Sequence, residues 1–153
     1  MESPSVPPAE AMRFRVVLRT RWVDDDRQGV LNNAVYLTLM EEARLAYCGE
    51  LGLMAAEGAF PFVLAQTNVA FLRPGLGGVQ VEVQARTLRL GETSFLQAYR
   101  IVGPGGETWC EARARLVAWD PVGRCKRPLT AAFRASIEAF EGLPERSADG
   151  SEA

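Results

Sequence analysis

The chain contains one long run of apolar positions at helical spacing, which begins directly after a short acidic loop. From residue 33 to residue 48 no Pro or Gly interrupts it, and apolar residues recur at i, i+3, i+4 and i+7. Asn32 is a favourable N-cap because its side-chain oxygen can accept a hydrogen bond from a free amide nearby. The turn at residues 49–52 is predicted to end the helix. The apolar stripe consists of Val35, Tyr36, Leu39, Met40, Ala43, Ala46 and Tyr47.

The opposite side of the predicted helix is mixed, whereas a surface helix would be polar there. It combines charged residues with leucines and an alanine. We therefore predict that other structure packs around the helix and covers part of this second side. The residues on it are Thr38, Glu41, Glu42, Arg44, Ala34, Leu37 and Leu45.

Five segments are predicted to be β-strands, from alternating apolar and polar positions and from the turns that bound them. One precedes the helix, and four follow it in succession with short connections. The segments are residues 13–21, 62–72, 79–90, 93–102 and 107–119.

Thr130 is a predicted cap for a short amphipathic helix near the end of the chain. The predicted fold class is therefore α+β, with a curved antiparallel sheet wrapped around one long central helix and a short C-terminal helix. Residues 12–141 are expected to form a single domain. Residues 1–11, rich in Pro, Ser and Glu, are predicted to be disordered, and residues 142–153 are predicted to be a flexible tail.

Composition narrows the function classes. The net charge of −2 gives no support for nucleic-acid binding. No apolar run approaches the roughly 20 residues of a membrane span, and the N-terminus lacks the features of a signal peptide. The three cysteines are too widely spaced to suggest a zinc site or a disulfide framework. We expect a cytoplasmic protein with reduced thiols, no metal and no cofactor.

The sequence contains no histidine. This excludes Ser-His and Cys-His nucleophile pairs and histidine metal sites. Acid–base chemistry must then come from Asp, Glu, Lys, Tyr or the backbone. The three acids Asp24, Asp25 and Asp26 precede the start of a helix, where unpaired N–H groups and a positive partial charge favour a developing anion.

The stretch RWVDDDRQGVLNNAVYLTLMEEAR at residues 21–44 resembles the hotdog-fold acyl-CoA thioesterases, specifically the 4-hydroxybenzoyl-CoA thioesterase-like family. The segments at residues 71–95 and 109–120 support the resemblance, which covers residues 13–140. It implies hydrolysis of an acyl-CoA thioester to a free acid and coenzyme A. It also implies a site at the interface of a homodimer, with homotetramers common.

The resemblance also implies the site residues. The family's catalytic acid falls on Asp26, three residues before Gly29, and the amide that binds the thioester oxygen falls near Asn33. Val30 stands where many members carry histidine, which bears on substrate choice. A basic group after the last long strand suits coenzyme A phosphates, because Arg binds phosphate with a planar fork. The residues expected to line the substrate site are Gly29, Val30, Asn32, Ser94, Arg124, Lys126 and Arg127.

Several alternatives stay open from sequence. Asp26 can act as a general base or as a nucleophile. Glu41 and Glu42 are alternative acids. Eight residues of helix place Glu41 about 12 Å from Asn33, so it could serve only another site, through the dimer. Arg73 and Arg89 compete for the phosphates. A non-catalytic acyl-CoA-binding protein, acting as a carrier or regulator, is the alternative function. A hotdog hydratase would need histidine, and a purely structural module would use its sheet as an interface.

Overall fold

A computed structural model describes residues 1–145 as one antiparallel sheet with two helices, and the predicted fold class is confirmed. The strand order is β1-β3-β4-β5-β2, and the two-residue strand β6 pairs with β5. The outer strands β1 and β2 each pair with a single neighbour in this order. The elements are β1 (Phe14–Arg19), α1 (Asn33–Leu51), β2 (Phe62–Phe71), β3 (Gln80–Leu90), β4 (Ser94–Val102), β5 (Thr108–Asp120), β6 (Cys125–Lys126) and α2 (Ala131–Glu141).

Helix α1 is capped as the sequence predicts, but it is longer than predicted. The Asn32 side chain accepts a hydrogen bond from the Ala34 N–H at 2.9 Å. The prediction that the helix stops at residue 48 is wrong, because Gly49 keeps a helical conformation and the helix continues to Leu51. Gly52 ends it with a left-handed backbone, and its N–H bonds back to the Cys48 carbonyl.

One side of α1 lies in the core, and it includes a residue that we predicted on the polar side. Arg44 is only 5% exposed. The prediction fails because the Arg44 Nε donates a hydrogen bond to the Tyr99 hydroxyl of β4 at 2.9 Å, which holds this long polar side chain against the sheet inside the protein. The buried residues of α1 are Tyr36, Leu39, Met40, Ala43, Arg44, Tyr47 and Cys48.

A buried polar network connects α1, β3 and α2. The Tyr47 hydroxyl donates to Glu141 Oε1 at 2.9 Å and lies 2.9 Å from Thr87 Oγ1. The Thr87 N–H also donates to Glu141 Oε1, at 2.8 Å. Burial raises the pKa of Glu141 above its ordinary value, although hydrogen bonds from Thr87 and Tyr47 and the charge of Arg86 act in the opposite direction. This network fixes the end of α2 against the central helix.

Residues near both ends of the chain, in the segments predicted to be tails, contact the rest of the protein. Within the segment predicted to be disordered, backbone carbonyls accept hydrogen bonds from arginines of the sheet: Arg100 to Pro7 at 2.9 Å and Arg15 to Ala9 at 2.7 Å. Composition alone cannot indicate such contacts, because it does not show which side chains reach the backbone of the segment. Of the predicted tail at residues 142–153, Leu143 packs against the core, and residues 146–153 lie outside the described residues. No helix within residues 1–145 is long and apolar enough to cross a bilayer.

Candidate active site

The acidic loop folds around Asp24. Its carboxylate accepts hydrogen bonds from the Arg21 N–H at 2.7 Å, from Arg21 Nε at 3.0 Å and from Arg21 Nη2 at 2.8 Å. The hydrogen bonds from the Arg21 side chain hold the pKa of Asp24 below its ordinary value. Because both oxygens are engaged, Asp24 shapes the loop and is not available to a substrate.

Asp25 joins the acidic loop to the loop between β2 and β3. Its side chain is exposed, but Oδ1 accepts a hydrogen bond from the Gly77 N–H at 2.7 Å. A side chain at position 77 would collide with the Arg21 carbonyl, so only glycine allows this close approach. The Leu31 N–H also donates to the Gly75 carbonyl, at 2.9 Å. The two loops therefore form one unit beside the start of α1.

Asp26 lies in a tight turn that holds its carboxylate at the surface. The Gly29 N–H bonds to the Asp26 carbonyl at 3.0 Å, and the Asp26 N–H bonds to the Val30 carbonyl at 2.9 Å. Gly29 has a φ of +74°, which L side chains rarely adopt. Asp26 Oδ1 accepts from the Gln28 N–H at 2.7 Å, and the second oxygen has no partner within residues 1–145. The result is an oriented, half-exposed carboxylate with one free oxygen.

The start of α1 follows this turn directly. The Asn32 N–H donates to the Asp24 carbonyl at 2.9 Å, so the cap is attached to the acidic loop. The Ala34 N–H is used by the cap and the Val35 N–H bonds to the Asn32 carbonyl at 2.9 Å. The Asn33 N–H has no acceptor among the described residues. A free amide at a helix start carries the positive end of the helix dipole and suits a developing oxyanion.

The structure brings only some of the predicted site residues together. Asp26, Gly29, Val30, Asn32 and Asn33 lie in one continuous stretch at the N-terminal end of α1. Val30 is half-buried within this stretch. These five residues form the candidate active site.

The other predicted site residues lie at the opposite end of α1 within one chain. Ser94 begins β4 opposite Val117, Lys126 belongs to β6, and Arg124 is exposed. Arg127 lines a cavity of ≈ 260 Å³ together with residues 52–55, which directly follow α1. A helix of 19 residues is about 28 Å long at 1.5 Å per residue. A single copy therefore does not place this basic group beside Asp26.

Sequence reasoning underestimated one residue near the site and missed a cavity on α1. Arg73 introduces the loop that contacts the acidic loop, and the sequence could rank it only as an equal competitor for phosphate. The mixed side of α1 contains a second cavity, of ≈ 160 Å³, lined by Glu41 and Arg44 among others. Both features depend on tertiary contacts between segments that are distant in sequence, and no local sequence pattern indicates such contacts.

Comparisons with known proteins identify the family of this chain. The chain matches the family model described as the thioesterase superfamily over residues 28–110. No curated protein matches it. A thioesterase structure from Thermus thermophilus, complexed with coenzyme A and Zn, is 34% identical, with 88% of this chain and 98% of that chain covered and a TM-score of 0.77.

More distant structures share the fold. A thioesterase superfamily structure from Jannaschia sp. CCS1 is 24% identical, covers 94% of this chain and 98% of its own, and has a TM-score of 0.75. A 1,4-dihydroxy-2-naphthoyl-CoA thioesterase from Synechocystis is 19% identical, covers 81% and 94%, and has a TM-score of 0.71.

Proposed function

Because this chain belongs to the thioesterase superfamily, we propose that it hydrolyses acyl-CoA thioesters to a free acid and coenzyme A. The observation that carries the proposal is the half-exposed Asp26 carboxylate in a fixed turn, followed at once by a capped helix whose first amide has no acceptor among the described residues. The T. thermophilus relative, which was solved with coenzyme A, supports the ligand class.

The thioester carbonyl binds over the start of α1 in this mechanism. Its oxygen becomes negative as the carbonyl carbon is attacked, and the Asn33 N–H donates to it. Donors of this kind lower a barrier by about 2.7–4 kcal/mol. The coenzyme A thiolate is a good leaving group, so a strong general acid is not required. A site without histidine is therefore chemically sufficient.

Asp26 supplies the remaining chemistry in one of two ways. As a general base it removes a proton from water, the resulting hydroxide adds to the carbonyl carbon, and the C–S bond breaks as the thiolate leaves. As a nucleophile it adds to the carbonyl carbon itself, expels the thiolate and forms an anhydride that water hydrolyses. Label found in the protein after a single turnover in ¹⁸O-labelled water identifies the nucleophilic route. Direct attack by water labels only the product acid, whereas attack by water on the Asp26 side of the anhydride labels the protein.

The active form is a homodimer, and pairs of dimers can form a homotetramer. Leu37 and Leu45 on the mixed side of α1 are 41% and 50% exposed, and Leu64 on the outer strand β2 is 47% exposed. Open strand edges and apolar faces are normally covered. Sedimentation at micromolar concentration tests this part of the proposal, and a stable monomer contradicts it.

Arg73 and the basic group 124–127 are the two candidate phosphate contacts. Arg73 precedes Gly75 and Gly77 in the loop that contacts the acidic loop, so it lies at the same end of α1 as Asp26. Within one copy this favours Arg73. In a dimer, the basic group of one copy can serve the Asp26 loop of the other.

The decisive experiment is hydrolysis of a panel of short, long and aromatic acyl-CoAs, followed with a thiol reagent. We expect turnover of at least one member, and we expect Asp26→Asn to lose most of the activity while remaining folded. Glu42→Gln is the matched control, because Glu42 is an exposed carboxylate further along α1. Full activity in Asp26→Asn would remove Asp26 from the mechanism. Binding of acyl-CoA without any hydrolysis would instead favour the carrier or regulator function.

A further inference from the structure

Arg44 is a buried cation without a counter-charge among the described residues of its own chain. It is 5% exposed, and no carboxylate within residues 1–145 approaches its nitrogens to within 4.0 Å. One of its five N–H donors is used, by Nε with the Tyr99 hydroxyl at 2.9 Å. The guanidinium also lies over the Tyr99 ring, 5.4 Å from its centroid. Neither contact neutralises the charge, and buried charges in proteins are normally paired.

The unpaired part of Arg44 faces a cavity of ≈ 160 Å³ between α1 and β2. Within the described chain, the fully buried side-chain atoms without a partner are Arg86 Nε and Glu141 Oε2, so the Arg44 Nη atoms are not sealed in the core. They open onto this cavity instead. Its walls are Leu37, Thr38, Met40, Glu41, Arg44, Leu64 and Thr67.

The same cavity contains an acid without a cation. Glu41 is exposed and forms no ion pair within residues 1–145. It lies three residues before Arg44 on the same helix, yet the two side chains do not pair with each other. The wall therefore carries one unpaired positive and one unpaired negative group on neighbouring turns of α1.

We infer that a second copy of the chain completes this cavity, with Glu41 of each copy accepting hydrogen bonds from Arg44 of the other. A two-fold contact uses the same surface twice, so every such pair occurs in duplicate. The apolar wall residues Leu37 and Leu64 exclude water from the two pairs, and the planar fork of Arg suits a carboxylate. The inference rests on the proposed homodimer and specifies which charges hold it.

The test is the dimer dissociation constant, measured by sedimentation for Glu41→Lys and Glu41→Gln. Position 41 is exposed, so both variants are expected to fold. Loss of a buried ion-pair partner predicts a dissociation constant raised by at least about 30-fold for Gln, and more for Lys, which opposes Arg44 directly. Glu42→Lys, one residue away and outside the cavity wall, is the control with the same charge change and is expected to dimerise as the wild type does.

A mixture of two charge-reversed variants gives a more specific test of the ion pair. Glu41→Lys and Arg44→Glu chains, coexpressed with different tags, can form a mixed dimer with one original pair and one reversed pair. We expect mixed dimers in excess over either homodimer by native mass spectrometry. The inference is overturned if Glu41→Lys dimerises as tightly as Glu42→Lys, or if the wild-type protein is monomeric.

A different occupant of the cavity would give a different result. If Arg44 binds a carboxylate on the acyl group of the substrate, Arg44→Gln loses its activity on carboxyl-bearing acyl-CoAs while Glu41→Lys dimers stay intact, and the inference fails. Hydrolysis by the wild-type dimer is measured separately. A tight Glu41-dependent dimer without hydrolysis would therefore refute the proposed function and leave the ion pair standing.

Discussion

Position 32 offers a test in which helix stability and catalysis respond in opposite directions. The Asn32 side chain accepts one hydrogen bond, from the Ala34 N–H at 2.9 Å, and its own N–H is held by the Asp24 carbonyl. Asn32→Ala removes only the side-chain bond. Loss of an N-cap costs about 0.5–2 kcal/mol, typically about 1 kcal/mol. For a chain of 153 residues, 1 kcal/mol corresponds to a fall in Tm of about 2–4 °C.

Asn32→Asp keeps the cap, because an Asp carboxylate caps as well as an Asn amide. It also places a negative charge at the positive end of α1, so stability is expected to equal or exceed that of the wild type. The same charge opposes an oxyanion on the Asn33 N–H. Two unit charges about 4 Å apart repel by about 1 kcal/mol even in bulk water, and more where water is excluded. We therefore expect kcat to fall by at least about fivefold.

The assay is thermal unfolding alongside steady-state hydrolysis of the best acyl-CoA for both variants. The expected pattern is a less stable Asn32→Ala and a stable but slow Asn32→Asp. Wild-type kcat in Asn32→Asp would show that the oxyanion does not form at the helix start. Equal loss of Tm in both variants would show that the cap is not what fixes this end of α1.

Two further predictions use other parts of the chain. Burial raises the pKa of Glu141, so its stabilising contribution is complete below the unfolded pKa of about 4.3 and is lost as pH rises through the folded pKa. The free energy of unfolding, measured with urea, should therefore fall with rising pH, and Glu141→Gln should flatten this fall. Parallel curves for the variant and the wild type would contradict the prediction. Arg73→Gln, or Arg124→Ala with Arg127→Ala, should raise KM for acyl-CoA but not for an acyl-pantetheine thioester that lacks the phosphates, whereas equal losses on both substrates would indicate a folding or assembly defect.

The two helices and the five long strands were predictable because each follows from local periodicity, whereas the two-residue β6 was not predicted. In β3, Val81, Val83 and Ala85 alternate as the sequence predicts, and all three are buried. The caps at Asn32 and Thr130 were predictable for the same reason, since a cap bonds to an amide two or three residues away. The end of α1 was not, because Gly49 and Gly52 are both plausible stops, and only Gly52 adopts the left-handed backbone.

The same distinction between local and distant contacts explains which parts of the candidate site were predictable. The turn that orients Asp26 is closed by Gly29 and Val30, so its residues lie together in sequence. The buried position of Arg44 depends on Tyr99, 55 residues later, and helical periodicity therefore assigned it to the wrong side. Local pattern identifies residues that act through near neighbours, and it fails where a side chain is held in place by a distant strand.

The proposed dimer contact offers an explanation for the separation of Asp26 from the basic group. Glu41 and Arg44 lie at the middle of α1, whose 19 residues run from position 33 to position 51. A two-fold axis through that midpoint and perpendicular to the helix makes the two helices antiparallel. In the proposed dimer, the start of one helix then lies at the same end as the residues that follow the other, so we expect Arg127 of one copy on the side of the Asp26 loop of the second.

This arrangement predicts that two defective chains restore one good site. A mixed dimer of Asp26→Asn and Arg127→Gln chains contains one site with both original residues and one site with neither. If the residues act across the interface, the mixed dimer has wild-type KM and about half of the wild-type kcat per dimer. If they act within one chain, every site in the mixture keeps one defect, and no population with wild-type KM appears. Steady-state titration of the purified mixed dimer with acyl-CoA separates the two outcomes. Arg124→Gln is the matched variant to combine with Asp26→Asn. Arg124 is exposed in the same turn but does not line the ≈ 260 Å³ cavity that Arg127 lines, so its effect on KM should be smaller.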